Sequence, residues 1–186
     1  FHFVECDDPI SEYVKLITQI QSTGPYILMG YSAGGNLAFE VARELKKHGQ
    51  AVSDVIMLDS YRREEKQTLS PEEQQSQRDI YLDNEVVKKY LINERLKETF
   101  IRKMEAYTCY LSNSIDHGMV HANIHVINAA DKEKLEANHA WSNATDMKCT
   151  YFQGVGKHEQ MLDGEFIKTN AGIISGILEN IFHLPT

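Results

Sequence analysis

The chain has 186 residues, of which 42% are hydrophobic and 25% are charged, and its formal net charge is −8. This length predicts one domain with its own core, and the acidic balance argues against nonspecific nucleic-acid binding, which requires a basic surface. No apolar stretch reaches the length of a membrane span, and no signal peptide is recognisable. The three cysteines are odd in number and far apart, as in reduced, cytoplasmic proteins.

The first part of the chain alternates between patterns that are typical of strands and of helices. Short apolar runs, aromatic or rich in β-branched residues, predict strands at 1–6, 26–29 and 52–58. Apolar residues at helical spacing predict helices at 9–20 and 37–48, with a proline starting the first and Gly49 ending the second. Because the third strand does not alternate, we expect it to be buried on both faces of a parallel sheet.

This alternation is interrupted after the third strand. Residues 62–79 are charged, rich in glutamine and poor in hydrophobic side chains. Helical patterns follow at 70–81, 85–91 and 93–115. We expect the apolar stripe of the longest of these helices mainly to hold it against the rest of the protein. The pattern therefore predicts a helical insertion, residues 62–118, that lies over the sheet as a lid.

Alternation then resumes to the end of the chain. Strands are predicted at 124–127 and 148–153, with a loop and short helix at 131–141 between them and a closing helix at 166–184. Alternating strands and helices predict an α/β fold whose mainly parallel sheet carries helices on both faces. Since the chain starts without methionine and inside a predicted strand, we expect a single domain, residues 1–186, whose N-terminal strands are absent from this chain.

A G-x-S-x-G motif, Gly30 to Gly34, connects the second predicted strand to the helix that follows it. A strand that turns sharply into a helix at this motif is a nucleophile elbow, in which a strained turn projects the serine hydroxyl above the sheet. We expect Gly30 and Gly34 to be required because strand and helix approach closely there, with Gly35 giving further clearance. The alternative is a glycine-rich turn in which Ser32 only caps the helix.

A neutral serine hydroxyl needs an adjacent general base, and α/β-hydrolases carry serine, acid and histidine in that order along the chain. His158 fits this order best, because it lies on a loop with Gly154 and Gly156 just after the last predicted strand. The other histidines after Ser32 are expected on surfaces or inside a strand. Those weighed against it are His117, His121, His125 and His139.

Two aspartates are candidates for the acid that orients the histidine. Asp59 directly follows the strand after the motif, whereas Asp131 follows the next strand within a stretch that resembles a helix start. We favour Asp59 and keep Asp131 as the alternative. The oxyanion hole needs two backbone donors, one of which we assign to the N–H of Ala33; the other is expected in a loop that precedes Phe1.

Three stretches of the sequence resemble thioesterase domains that end nonribosomal peptide synthetases, and they occur in the expected order. Residues 24–42 carry the strongest likeness, followed by 52–61 and 156–162. The closest likeness is to domains that release lipopeptides or cyclic peptides of the surfactin and fengycin type. The resemblance implies an α/β-hydrolase fold in which Ser32 is acylated, His158 is the base, Asp59 is the acid and Ala33 is an oxyanion donor.

The resemblance also implies a substrate and a partner. An upstream peptidyl carrier domain would deliver a peptidyl or lipopeptidyl thioester on its 4′-phosphopantetheine arm, and the chain would release the peptide from Ser32 by macrocyclisation or hydrolysis. No cofactor or metal bound by the domain itself is expected. Two alternatives remain, a free-standing editing thioesterase that clears misprimed carriers and a catalytically inactive hydrolase fold used for protein binding.

Overall fold

Four parallel strands, in the order β1-β2-β3-β4, form the sheet of the part of the chain that is described in a computed structural model. That part comprises residues 9–66, 70–83, 88, 91, 93–113, 115–130 and 139–183. The strands are β1 (Tyr26–Tyr31), β2 (Val52–Leu58), β3 (Asn123–Asn128) and β4 (Cys149–Gln153). The helices are α1 (Pro9–Ile20), α2 (Ala33–Lys47), α3 (Pro71–Asp83), α4 (Glu94–Asn113) and α5 (Ile167–His183), with short 3₁₀ helices at His139–Asn143 and His158–Gln160.

The four predicted strands that fall on described residues are confirmed, with bounds that differ by at most two residues. The predicted helices that became α1, α2, α3, α4 and α5 are also confirmed. The strand predicted at 1–6 lies outside the described residues, as does most of the helix predicted at 85–91. None of the helices in the described ranges is both long and apolar enough to cross a membrane.

The chain divides into two compact units. The larger unit combines Ile10–Arg62 with Asp116–Thr186 and contains the whole described sheet. The smaller unit includes Arg63–Ile115 and therefore α3 and α4. Its bounds nearly coincide with the predicted insertion, whose role as a lid stays a prediction.

Side chains of the central strands point alternately to two separate cores, as the period of a strand requires. On one face, Val55 and Met57 of β2 pack with α1 and α2, and Phe39 meets Trp141 edge to face with 5.1 Å between ring centroids. On the other face, Ile56 and Leu58 pack with α5. Helices therefore cover both faces of the sheet, which is the predicted α/β arrangement.

The parallel register sets the carboxyl ends of neighbouring strands side by side. Tyr31 lies opposite Leu58, and Leu58 lies opposite Ile127. Two further backbone bonds extend these ladders beyond the strands, from Ser32 N to Leu58 O and from Asp59 N to Ile127 O, each 2.8 Å long. Residues that follow β1 and β2 consequently emerge at the same edge of the sheet.

A buried polar cluster lies between β2 and β3. Asp54 is 2% exposed, and its Oδ1 accepts hydrogen bonds from His125 Nε2 at 2.8 Å and Asn123 Nδ2 at 3.1 Å. Burial alone would raise the pKa of the Asp54 carboxyl. Hydrogen bonds from the side chains of His125, Ser53 and Asn123 outweigh that effect and hold the pKa below its usual range.

This lowered pKa predicts a specific loss of stability in acid. The carboxylate of Asp54 stabilises the fold above the unfolded-state pKa of about 4, and this contribution disappears as the pH falls from there through the lower folded-state pKa. Asp54→Asn should flatten the pH dependence of the free energy of unfolding in that window, measured by urea denaturation. The same substitution at Asp79, an exposed aspartate of α3, should leave the slope unchanged, and equal slopes in wild type and Asp54→Asn would contradict the assignment.

Candidate active site

Ser32 is the single residue between β1 and α2, and its backbone has a positive φ of 57° with a ψ of −130°. Side chains disfavour this region, so the turn is strained and must be held by its surroundings. The hydroxyl makes no capping hydrogen bond to the first turn of α2, all of which is described. The interpretation of Ser32 as a mere helix cap is therefore wrong, and the turn has the backbone expected of a nucleophile elbow.

Two of the three glycines around this turn are required by close contacts. A Cβ at Gly30 would lie 2.0 Å from the backbone oxygen of Gly34, and a Cβ at Gly35 would lie 2.0 Å from Ser60 Oγ. At Gly34, a Cβ would meet no described atom within 4 Å. The prediction that Gly34 itself lacks room is thus wrong, because its carbonyl group, and not its Cα, faces the strand.

Asp59 follows β2 directly and is 1% exposed. Its φ of 45° is also positive, so a second strained residue stands beside the first at this edge of the sheet. Its Oδ1 accepts a 3.0 Å hydrogen bond from Ala129 N, and its Oδ2 lies 2.5 Å from His158 Nδ1. One carboxylate oxygen is therefore fixed by the backbone and the other by the histidine.

His158 begins a 3₁₀ helix after β4, and 28% of its side chain is exposed. Since Asp59 is an acceptor when ionised, Nδ1 carries the proton and Nε2 is left as the basic nitrogen. The ring stacks on Tyr31, the neighbour of Ser32, with 5.0 Å between centroids and 22° between planes. The imidazole therefore lies beside the turn that carries Ser32.

Tyr31 holds the backbone of His158 as well as its ring. The phenol donates a short hydrogen bond to the carbonyl oxygen of His158. Burial, followed by the negative charges of Asp59, Glu159 and Asp163, raises the pKa of Tyr31. The phenol thus remains protonated, and able to donate, at neutral pH.

Asn170 of α5 anchors the loop on which His158 lies. It is 1% exposed, and its side-chain amide donates to Val155 O at 2.9 Å and Met161 O at 2.8 Å, while its oxygen accepts from Val155 N at 2.9 Å. Gly156 adopts a φ of 81°, as expected of a glycine that shapes this loop. Sequence reasoning missed Asn170, although a polar residue at helical spacing from Ile167, Ile174 and Ile177 was a usable signal.

The other histidines are placed elsewhere or differently bonded. His125 is bound to the buried Asp54, the exposed His121 lies 2.9 Å from Asp146, and His117 is exposed. The side chain of His139 and the alternative acid Asp131 lie outside the described residues. The structure brings Ser32, Asp59 and His158 to one edge of the sheet, with Ala33 at the start of α2; their catalytic roles stay predictions.

Comparison with known proteins gives a family for the chain. A model of the thioesterase domain family matches residues 5–174. The chain is 37% identical to tyrocidine synthase 3 of Brevibacillus parabrevis, over 99% of its own length and 3% of that protein. It is 34% identical to surfactin synthase subunit 3 of Bacillus subtilis (strain 168), over 94% of its own length and 14% of that protein. The chain thus spans a small part of the relatives it matches.

Solved structures confirm the fold. The thioesterase domain SrfTE, from a study of the cyclization of the lipopeptide antibiotic surfactin, matches with a TM-score of 0.78 and 33% identity, over 98% of this chain and 78% of that one. The NocB thioesterase domain matches with a TM-score of 0.69 over 95% of this chain and 78% of that one, and its 19% identity supports the fold alone. The predicted α/β-hydrolase fold and the resemblance to thioesterase domains of peptide synthetases are confirmed.

The glycine contacts predict opposite effects for the same substitution at two neighbouring positions. Gly30→Ala should destabilise the protein by about 3 kcal/mol or more, because its Cβ would overlap a backbone oxygen that cannot move aside. Gly34→Ala should be neutral or stabilising by up to about 1 kcal/mol, since it adds a better helix former without a contact. Urea denaturation measures both, and a larger loss at Gly34 than at Gly30 would contradict the described turn.

Proposed function

The chain belongs to the thioesterase domain family, and on that premise we propose that it accepts a peptidyl chain from a carrier-domain thioester onto Ser32 and then releases the peptide. The observation that carries the proposal is the 2.5 Å contact of Asp59 Oδ2 with His158 Nδ1, beside the strained turn of Ser32. A serine nucleophile requires a base next to it and an acid that orients the base, and the Asp59–His158 contact supports these two roles.

In the first step, Ser32 Oγ attacks the carbonyl carbon of the thioester while His158 Nε2 takes its proton. Asp59 stabilises the imidazolium that results, and it keeps the proton of Nδ1 in place. The N–H of Ala33, at the start of α2, donates to the oxyanion of the tetrahedral intermediate. The C–S bond then breaks, His158 returns the proton to the departing thiolate, and the peptide remains as an ester on Ser32.

The second step transfers the peptide from Ser32 to a new acceptor. His158 takes a proton from a hydroxyl or amine of the peptide itself, or from water, and the acceptor attacks the Ser32 ester. The ester bond to Ser32 Oγ then breaks, and His158 returns the proton to that oxygen. An acceptor within the peptide releases a macrocycle, whereas water releases a linear acid. The acyl group is already activated as a thioester, so the phosphopantetheine arm enters as part of the substrate and the proposed steps use no cofactor held by this chain.

Two observations support peptide release over editing of misprimed carriers. The relatives are synthetases that bear the names of tyrocidine and surfactin, and 99% and 94% of the chain align with them. The SrfTE structure concerns the cyclization of a lipopeptide, and its identity to the chain is 33%. We therefore infer that the partner is a peptidyl carrier domain and that macrocyclisation is the favoured outcome.

Removal of the nucleophile tests the proposal directly. The wild-type protein, incubated with a synthetic peptidyl thioester, should gain the mass of the peptide on Ser32 and release cyclic product, whereas Ser32→Ala should do neither. Ser22→Ala, at an exposed serine of the same unit, is the matched control and should behave as wild type. Turnover retained in Ser32→Ala would overturn the proposal, and cleavage confined to short acyl groups would favour the editing function.

The identity of the acid is tested by separate exchanges of Asp59 and Asp131. Asp59→Asn should lower kcat by roughly three to four powers of ten, because an amide no longer holds the histidine in the correct tautomer. Asp131→Asn should change kcat by less than about threefold, because Asp131 takes no part in the proposed steps. Steady-state kinetics with the same thioester measure both, and the reverse ranking would assign the acid to Asp131.

A further inference from the structure

Ser60 contacts the nucleophile turn although it is not part of it. The residue follows Asp59 and is 1% exposed. Its hydroxyl donates a 2.6 Å hydrogen bond to the carbonyl oxygen of Ser32, and the carbonyl oxygen of Leu58 lies 3.3 Å from the same hydroxyl. Ser32 O also accepts a 3.0 Å hydrogen bond from Gly35 N, so the side chain of Ser60 adds a second bond, from the end of β2, to the turn at the end of β1.

The backbone of Ser60 is itself held by a hydrogen bond from a core side chain. Its carbonyl oxygen accepts a 2.7 Å hydrogen bond from Trp141 Nε1. Trp141 is fully buried and packs edge to face on Phe39 of α2. Because the indole is fixed by the core, Ser60 has little freedom to move away from Ser32.

The two residues that Ser60 connects both have strained backbones. Ser32 has a φ of 57° and Asp59 a φ of 45°, both in the region that favours glycine. Such conformations persist only where the surrounding structure determines them. Ser60 is covalently bonded to one strained residue and hydrogen-bonded to the other, so a single side chain acts on both.

Gly35 provides the space for this link. A Cβ on Gly35 would lie 2.0 Å from the hydroxyl oxygen of Ser60 and 2.7 Å from its Cβ. Any larger residue there would push the hydroxyl away from Ser32 O. The second glycine after the serine is thus explained by Ser60, and not by the packing of strand against helix alone.

We propose that Ser60 is a positioning residue that locks the Ser32 turn to the Asp59 turn, so that the nucleophile and the Asp59–His158 pair keep a fixed mutual geometry. This inference rests on the proposed function of Ser32 as the acylated residue. Ser60 touches no reacting atom in the proposed steps. Its loss should therefore reduce the rate of chemistry more than the affinity for substrate.

Kinetics of Ser60→Ala test the link. Acylation of Ser32 by a fluorophosphonate probe, and kcat with a peptidyl thioester, should fall roughly ten- to a hundredfold, the effect expected when reacting groups are slightly misplaced. The KM should change by less than about threefold, since uniform binding is retained. Unchanged kcat and acylation rate in a folded Ser60→Ala protein would overturn the inference.

Ser53 offers a matched control on the same strand. Its hydroxyl, which also bonds Asp54, lies 3.3 Å from Tyr26 O, so it too connects β2 to a backbone carbonyl of β1, but at the far end of both strands. Ser53→Ala should keep the wild-type kcat. An equal loss of kcat in both variants would mean that any bond between these strands suffices, which contradicts a specific role for Ser60.

Ser60→Cys separates the hydrogen bond from the packing. A thiol is somewhat larger than a hydroxyl and is a weak donor, so it fills the space of the serine side chain, and a protein that does not tolerate alanine can still be examined. This variant should also lose kcat with little change in circular dichroism. A wild-type kcat in Ser60→Cys would show that the hydroxyl is dispensable and would overturn the inference.

A spectroscopic measurement keeps the inference independent of turnover. The proton between His158 Nδ1 and Asp59 should give a low-field NMR resonance in wild type that shifts or broadens in Ser60→Ala and is unchanged in Ser53→Ala. If wild type fails to react with the fluorophosphonate, the proposed function fails, while this comparison still tests Ser60. A resonance that is identical in wild type and Ser60→Ala would overturn the positioning role by itself.

Discussion

The hydrogen bond between Asp59 and His158 joins residues 99 positions apart. It depends on the parallel register of the sheet, because only parallel strands release consecutive carboxyl ends at one edge. Leu58 lies opposite both Tyr31 and Ile127, so the residue after β2 emerges between the elbow of β1 and the loop after β3. Asp59 Oδ1 accepts a hydrogen bond from the backbone N–H of Ala129, which leaves Oδ2 to bond His158. Sheet geometry thus decides where the charge of this site lies.

That geometry is maintained against the preferences of the backbone. Ser32 and Asp59 are the two described residues other than glycine with a positive φ, and both lie at this edge of the sheet. Strain of this kind costs about 1–3 kcal/mol at each residue and must be offset by the surrounding structure. Identifiable hydrogen bonds offset this cost. Ser32 N and Asp59 N continue the backbone hydrogen bonding of the strands, and the Ser60 hydroxyl, next to Asp59, bonds Ser32 O. A buried tryptophan and a buried asparagine, Trp141 and Asn170, complete the support from opposite faces.

Local patterns in the sequence predicted much of this arrangement, and contacts distant in sequence account for what they missed. The unalternating apolar run of β2 and Gly30, two residues before Ser32, reflect the needs of a buried strand and of a close contact within one turn. The sequence alone could therefore locate the strand, the elbow and Asp59. Gly34 was misjudged because G-x-S-x-G spacing does not reveal which backbone atom faces the strand. The roles of Ser60 and Asn170 depend on acceptors 28 and 15 residues away, at Ser32 and Val155, and a lone polar residue carries no spacing rule.

Strand β2 and the residue after it carry two aspartates that each bind a histidine, and the two pairs differ in geometry. His125 meets Asp54 through Nε2, and its Nδ1 is buried with no partner among the described residues. His158 meets Asp59 through Nδ1, so its Nε2, the outer ring nitrogen, remains available, and 28% of this side chain is exposed against 15% for His125. A general base must reach a substrate proton, which a nitrogen enclosed in the sheet cannot do. Ring orientation and exposure, and not the pairing of aspartate with histidine, therefore distinguish the pair proposed to be catalytic from the pair enclosed in the sheet.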